Sequence, residues 1–280
     1  MAQAQLAADA LASRVGVAEL VPIATRGDAI SARRPRADWV AADGQFTREL
    51  ERALLDRQVD VVVHSYKDLP IEPVEGLAIA AVLPRGDARD CLITPDDRPL
   101  DDLPFGARIG TSSPRRAAQL AAVRPDLIAT PIRGNVETRI ARLRAGEYDA
   151  VILAAAGLDR LGIAIPDHAR LPFDLVLPAP AQGALALQVR VADGVLCDRI
   201  GTIDHTPTRI GVEAERALLR RIGGGCMAPL GALGVVRGSA LRLRAALEDP
   251  SGTQHRAESS GAVDEIDAIV EDVARQVTGG

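Results

Sequence analysis

Three groups of residues in this sequence have the types and spacing that chemistry requires. The first is Cys226, at the end of the glycine run Gly223-Gly224-Gly225-Cys226-Met227-Ala228-Pro229, in a chain with three cysteines. The glycines strip side chains from the approach to the sulfur and open backbone angles closed to other residues, so the thiol is expected on an accessible loop. A tight turn around a small buried thiol would use the same residues, because free cysteine is among the most buried types. The second group is His64-Ser65-Tyr66-Lys67-Asp68-Leu69-Pro70, which follows an apolar stretch over 59–63. A carboxylate and an ammonium at a strand's carboxyl end suit acid–base work or the stabilisation of a cation. The competing reading is a surface pair between Lys67 and Asp68, with His64 closing the strand.

The third group is arginine-rich. Thr111-Ser112-Ser113-Pro114-Arg115-Arg116 offers hydroxyls, helix N–H donors and two guanidinium forks, a set that matches carboxylate or phosphate geometry. Arg133-Gly134-Asn135-Val136-Glu137-Thr138-Arg139 repeats the idea at the next junction, where Gly134 lets backbone approach a ligand. Arg142 and Arg144 read instead as a solvated helix face. Residues 105–160 hold nine arginines against five acids, a local charge of +4 in a chain whose formal charge is −5. A basic zone on an acidic protein with 2% aromatic residues suits a small polyanion, not nucleic acid. All basic residues but Lys67 are arginine, so the one ammonium marks a place where a compact point charge is wanted.

Elements able to position these groups alternate along the chain. Apolar runs at 19–23, 59–64, 77–82, 127–132 and 150–153 predict strands, and the patterns at 46–56, 114–123 and 136–145 predict helices. This is α/β order, with buried sheets. Ser113 before Pro114, and Asn135 after Gly134, are helix N-caps. Both follow a predicted strand, which aims helix N-termini at the carboxyl edge where anions bind. Breaks are expected at 85–88 and 171–183. A third unit then follows: a helix over 208–221, the cysteine loop, strands at 230–236 and 241–248, a polar surface connection over 251–261 and a helix over 263–277.

With 280 residues and 47% hydrophobic content the chain can bury more than one core. The start shows no charged-then-apolar leader and no apolar run nears the ~18–20 residues that span a bilayer, which predicts a cytoplasmic protein without membrane contact. Three widely spaced cysteines without paired Cys or His motifs argue against a disulfide framework and a zinc site, so no metal is expected. Cys91 and Cys197 read as core or incidental thiols.

Taken together, the motifs resemble one family. The runs 64–70, Gly110-Thr111-Ser112-Ser113-Pro114-Arg115-Arg116, 133–139, Ala155-Ala156-Gly157-Leu158-Asp159-Arg160-Leu161, Pro180-Ala181-Gln182-Gly183 and Gly224-Gly225-Cys226 occur in the order and spacing of the porphobilinogen deaminases, or hydroxymethylbilane synthases. The match covers nearly the whole chain. It implies an α/β fold of three domains, two resembling type II periplasmic-binding-protein domains with the active site in their cleft, plus a small α+β C-terminal domain. The implied boundaries are 1–87 with 182–202, 88–181, and 203–280. It implies a transferase of tetrapyrrole and haem biosynthesis that adds four porphobilinogen molecules to a dipyrromethane cofactor held by a thioether to Cys226, then hydrolyses off the linear product. Asp68 corresponds to the catalytic carboxylate. Lys67, Asp68, Ser113, Arg115 and Arg116 would hold the cofactor, and Arg133, Arg139, Arg160, Gln182 and Phe46 the substrate. The family's usual form is a monomer.

Two departures stand out. The family's first strand and Thr-Arg-x-Ser-Pro-Leu-type loop are absent, since residues 1–6 already match the helix after that loop, and the expectation is a true start upstream. Asp43 stands where lysine is common in the loop before Phe46. Three alternatives compete with this reading: a small-anion-binding module of the same fold, a catalytically impaired homologue, and a cysteine hydrolase, which would need His205 or His255 as base.

Overall fold

The computed structural model describes residues 2–23, 45–223 and 228–279. In chain order its elements begin with α1 (Ala2–Ala12), α2 (Gln45–Leu55), β1 (Val62–Ser65), β2 (Leu77–Val82), β3 (Asp90–Ile93), β4 (Arg108–Gly110) and α3 (Pro114–Val123). They continue with β5 (Ile128–Thr130), α4 (Val136–Arg144), β6 (Ala150–Ala154), α5 (Ala155–Arg160), β7 (Leu185–Arg190) and α6 (Gly194–Gly201). The last are α7 (Thr206–Ile222), β8 (Leu230–Arg237), β9 (Ala240–Glu248), β10 (Gln254–Ala262) and α8 (Ile266–Thr278). The chain divides into two compact units, Met1–Arg85 with Ala184–Arg209, and Gly86–Gly183 with Ile210–Gly280.

Unit 1 is built on a three-stranded sheet of order β1-β7-β2, with β7 antiparallel to both neighbours. Alternation along β1 divides its two faces. Val61 and Val63 pack with Ala7 and Leu11 of the alanine-rich α1 and with Leu187 and Val189 of β7. Val62 turns to the other face and packs with Leu54 of α2 and Leu77. Every residue of β7 is buried, which makes it the core of the unit, although no strand was expected there. Its two polar members are satisfied: Arg190 reaches Asp60, Asp193 and the carbonyls of Leu54 and Val59, and Gln188 meets His64.

Unit 2 contains a four-stranded sheet of order β3-β6-β4-β5, parallel except for β3. Both faces of β6 are buried: Ala150 and Ile152 pack with Ile109 and Leu120, while Val151 and Leu153 pack with Ile132, Leu143 and Tyr148. Each of β4, β5 and β6 runs into a helix. The two expected caps form, Ser113 accepting from Arg116 N at 3.4 Å and Asn135 from Thr138 N at 2.8 Å. The second sheet, β8-β9-β10, is antiparallel, with α8 packed on β9 and β10.

Two expectations are corrected. Residues 19–23 form no strand; they and β1 line an open space of about 520 Å³, and among the described residues β1 pairs only with β7. The polar stretch over 251–261 is largely strand β10, in register with β9 from Gln254↔Glu248 to Ala262↔Ala240. Its small polar residues alternate in exposure because one side of the strand faces solvent. Cys91 is buried and Cys197 half-buried against the unit 1 core, and burial pushes the Cys91 thiol up to about 12.

Helix α7 approaches β8 at a glycine pair. A Cβ on Gly211 would stand 2.6 Å from the Gly234 carbonyl oxygen, a clash with backbone that no rotamer change relieves. Gly211→Ala is expected to destabilise the protein by about 1–3 kcal/mol or more, although alanine is the better helix former. A thermal midpoint equal to or above that of the parent protein would show that α7 can withdraw from the sheet without penalty.

Candidate active site

At the carboxyl end of β1 the ladder continues for one bond, Tyr66 N to Ala184 O at 3.0 Å, and the chain then winds into a 3-10 turn over Tyr66–Asp68. Tyr66 and Leu69 are buried on either side of the turn and pin it to unit 1. Between them Lys67 is half-buried and Asp68 exposed. Gln3 of α1 donates to the Ser65 hydroxyl at 2.8 Å, tying the start of the turn to the first helix. Asp68 forms no ion pair or hydrogen bond among the described residues, so the Lys67–Asp68 surface pair is not made. Its carboxylate is open to a ligand.

His64 does not close the strand. It points to the α2 face, where its Nε2 meets Gln188 Oε1 at 2.9 Å and Gln188 in turn donates to Glu51 at 3.5 Å. Burial holds the imidazole down at about 4 and pushes the Glu51 carboxyl above its usual range. This chain is a polar strut inside unit 1.

In unit 2 the paired arginines turn inward. The Asp90 carboxylate is wholly buried, with Arg116 Nη2 at 2.6 Å from Oδ1 and Arg115 Nη2 at 2.8 Å from Oδ2, the latter without hydrogen-bond alignment. Gln182 Nε2 donates to Asp90 Oδ1 at 2.9 Å and to the Ala88 carbonyl at 2.8 Å. Arg115 also donates to Leu177 O at 2.5 Å, and Arg116 to Ile152 O at 3.1 Å. Burial alone would raise the Asp90 carboxyl, but the two guanidiniums hold it well below the carboxylate range. Burial also lowers Arg115. Three of the expected ligand residues, Arg115, Arg116 and Gln182, are therefore brought together around a carboxylate that no motif marks.

Arg139 and Arg160 are held differently. Arg139 Nε donates to the Gly134 carbonyl at 2.8 Å, and burial, with the like charges of Arg116 and Arg133, depresses its guanidinium. Gly134 has φ +108°, and a Cβ there would meet Thr138 Cγ2 at 2.7 Å, so this loop requires glycine. Arg160 Nη2 donates to Gly183 O at 2.6 Å, while the adjacent Asp159 is occupied by Arg170 at 2.6 Å. Neither Arg139 nor Arg160 has a carboxylate partner among the described residues. Arg133 is exposed at the head of the same loop. Such an excess of guanidinium suits anions with several carboxylates.

Cys226, Asp43 and the side chain of Phe46 lie outside the described residues. Helix α7 ends at Ile222, and Gly223 follows at φ +75°, as the glycine run requires. Of the bases the hydrolase reading needs, His205 bonds Thr208 at 2.7 Å and His255 bonds Asp249 at 2.9 Å, which gives each a structural partner.

Two family models match the chain: "Porphobilinogen deaminase, dipyromethane cofactor binding domain" over residues 1–198, and "Porphobilinogen deaminase, C-terminal domain" over residues 210–278. A porphobilinogen deaminase of Desulforudis audaxviator is 49% identical over 81% of this chain and 74% of its own length. One from Acidothermus cellulolyticus is also 49% identical, over 90% of this chain and 77% of its own. Among solved structures, the BvgS VFT2 domain of Bordetella pertussis matches at 16% identity and a TM-score of 0.41, over 72% of this chain and 76% of that one.

Which state takes the proton decides how the buried histidine affects stability. The unfolded chain titrates His64 near 6.5 and the fold near 4. Stability therefore falls as pH drops between those values, by about 3 kcal/mol in full. Glu51 acts in the opposite sense, since its raised carboxyl favours the fold on protonation. His64→Gln is expected to flatten the fall in denaturant midpoint across this window. An equal fall in both proteins would assign acid sensitivity to other groups.

Proposed function

The chain belongs to the porphobilinogen deaminase family, and from that membership we propose how its residues divide the work. The activity is that of a hydroxymethylbilane synthase, a transferase of tetrapyrrole biosynthesis. Four porphobilinogen molecules are condensed in turn onto a dipyrromethane cofactor with loss of ammonia, and hydrolysis then frees the linear tetrapyrrole.

The observation that carries the assignment of roles is the unneutralised charge of Arg139 and Arg160. Each porphobilinogen carries an acetate and a propionate, so both cofactor and substrate present paired carboxylates, and guanidinium forks without carboxylate partners fit them. We assign Arg139 and Arg160 to these carboxylates on that ground, and Arg133 with them from the motif that it heads. Ser113 caps α3 and holds the amide of Arg116 in place. Arg115, Arg116 and Gln182 belong to the ligand-binding set chiefly through their grip on Asp90, which leaves Arg116 as a positive neighbour of Arg139. The dipyrromethane, when bound by a thioether to Cys226, would supply the pyrrole carbon that takes the first unit, and each later unit would bond to the ring added before it.

Asp68 has the sign and exposure for the reacting end. When the aminomethyl group departs as ammonia, positive charge develops on the substrate pyrrole, and a carboxylate aimed at it stabilises the transition state more than the ground state. Lys67, on the same turn, is proposed to meet a ligand carboxylate, and Phe46 to contact substrate. The three-domain division expected from sequence is retained in this proposal, supported by the two separate sheets of unit 2. No helix among the described residues is long and apolar enough to cross a membrane. A cytoplasmic monomer is proposed, with the buried thiol of Cys91 in keeping with a reducing compartment.

Asp68→Ala is expected to lower kcat by about 10²–10⁴-fold with an unchanged thermal midpoint, since the residue is exposed. Near-normal turnover would remove Asp68 from this role. Separately, intact mass under denaturing conditions, after expression with porphobilinogen, is expected to show the dipyrromethane adduct on the parent chain and its loss in Cys226→Ser. Bare polypeptide in both would count against the tether.

A further inference from the structure

The loop that carries Arg133 and leads to Arg139 is held by two side chains from outside it. The parallel ladder between β4 and β5 ends with the pair Gly110↔Thr130, and Thr111 N still reaches Thr130 O at 2.9 Å. Beyond that bond the two strands separate toward their helices, and backbone can no longer meet backbone. Ser112 fills the gap. Its hydroxyl donates to Ile132 O at 2.8 Å and accepts from Ile132 N at 3.0 Å, serving one residue's acceptor and donor at once. On the preceding residue, the Tyr148 hydroxyl donates to Pro131 O at 2.9 Å.

The seat for this clamp is tight. Ile132 and Tyr148 are both buried in one core cluster with Val151. A Cβ on Gly110 would stand 3.0 Å from Val151, 3.1 Å from Tyr148 and 3.2 Å from Ile132. Three hydrogen bonds thus fix two consecutive residues immediately before Arg133, and the loop then makes its glycine turn, where Gly134 O accepts from Arg139 Nε. Packing of the Ile132 side chain alone would not require both of its backbone groups to be held. Charge adds a reason: the like charges of Arg116 and Arg133 act against Arg139, and hydrogen bonds to the backbone hold the segment between them against that repulsion.

We propose that Ser112 and Tyr148 are positioning residues, which set where the Arg133 and Arg139 guanidiniums stand and so set affinity for substrate carboxylates. The inference rests on the reading that these arginines bind those carboxylates. A displaced fork loses bidentate geometry in the ground state and the transition state alike, so the effect falls on KM before kcat.

The test uses the cofactor-loaded full chain and measures porphobilinogen consumption and thermal midpoint together. Ser112→Ala is expected to raise KM about 3–10-fold, the loss of roughly one hydrogen bond's discrimination, with kcat changed less than about twofold. Ser112→Thr, which keeps the hydroxyl, is expected to restore KM. Tyr148→Phe should raise KM by a similar factor, and the double variant by less than the product, because both residues hold one segment. Arg139→Gln runs alongside. If it leaves KM unchanged, the carboxylate-binding reading fails; if it raises KM while Ser112→Ala and Tyr148→Phe do not, only the positioning inference fails. A lowered midpoint with unchanged KM overturns the inference too, as does a threonine variant no better than alanine. Should Ser112→Ala fail to fold, Tyr148→Phe decides by the same KM criterion.

Discussion

A buried carboxylate between two guanidiniums organises unit 2. Asp90 opens β3, Arg115 and Arg116 lie in the first turn of α3, and the Nη1 groups of these arginines reach the carbonyls of Leu177 and of Ile152 in β6. Gln182 closes the set from the turn after Pro180. Four segments distant in sequence therefore meet at one charge, and each ion is satisfied only while the others are in place. Such a cluster adds little net stability relative to an apolar replacement, but removing one partner strands a charge in the interior, at about 3–5 kcal/mol. Its consequence is geometric: the N-terminus of α3 and the 181–183 turn cannot move independently of the sheet. Ala181 accepts φ +63° there, with its N–H bound at 2.6 Å by the buried Glu215 of α7.

The same cluster decides which arginines remain for ligands. A surplus of positive charge was legible in the sequence, but its distribution was not. Arg142 is taken by Glu147 and Arg124 by Asp126, while Arg115 and Arg116 share Asp90. Arg139 on α4 and Arg160 at the end of α5 have no carboxylate partner among the described residues; each is bound to a backbone carbonyl, which restrains the side chain without cancelling its charge. An anion site built this way keeps its cations because guanidinium does not lose its proton in the accessible pH range. It keeps their aim because one donor of each fork is already committed.

Local signals carried well from sequence to fold. Ser113 with Pro114, and Asn135 after Gly134, specify helix starts through groups within three residues, and both caps form. Strand β2 and helix α3 fall on their expected residues for the same reason. What failed depended on distant partners. Strand β7 was hidden because Gln188 and Arg190 interrupt its apolar run, and both are tolerated largely through contacts to residues more than a hundred positions away. Strand β10 looked like a connection because its small polar residues are held in β form by β9. Asp90 and the second role of Ser112 were invisible for a related reason, since each acts on a segment that only the folded sheet brings near. Nor do the family motifs reveal that two of their five arginines, Arg115 and Arg116, turn inward onto Asp90.

The two proposed halves of the chemistry differ in how their charges are kept available. Binding paired carboxylates needs fixed cations, and the clamp of Ser112 and Tyr148 with the Gly134 carbonyl fixes them by hydrogen bonds to backbone. Stabilising a developing cation needs a carboxylate that has not been neutralised in advance. Asp68 meets that need because its turn buries Tyr66 and Leu69 on either side and leaves the acid outward, with no ion pair among the described residues. Had Lys67 paired with it, the carboxylate would have offered the transition state only what remained after that pair was broken. A 3-10 turn, with three residues per revolution, points consecutive side chains about 120° apart. That geometry separates the chain's one ammonium from its neighbouring carboxylate.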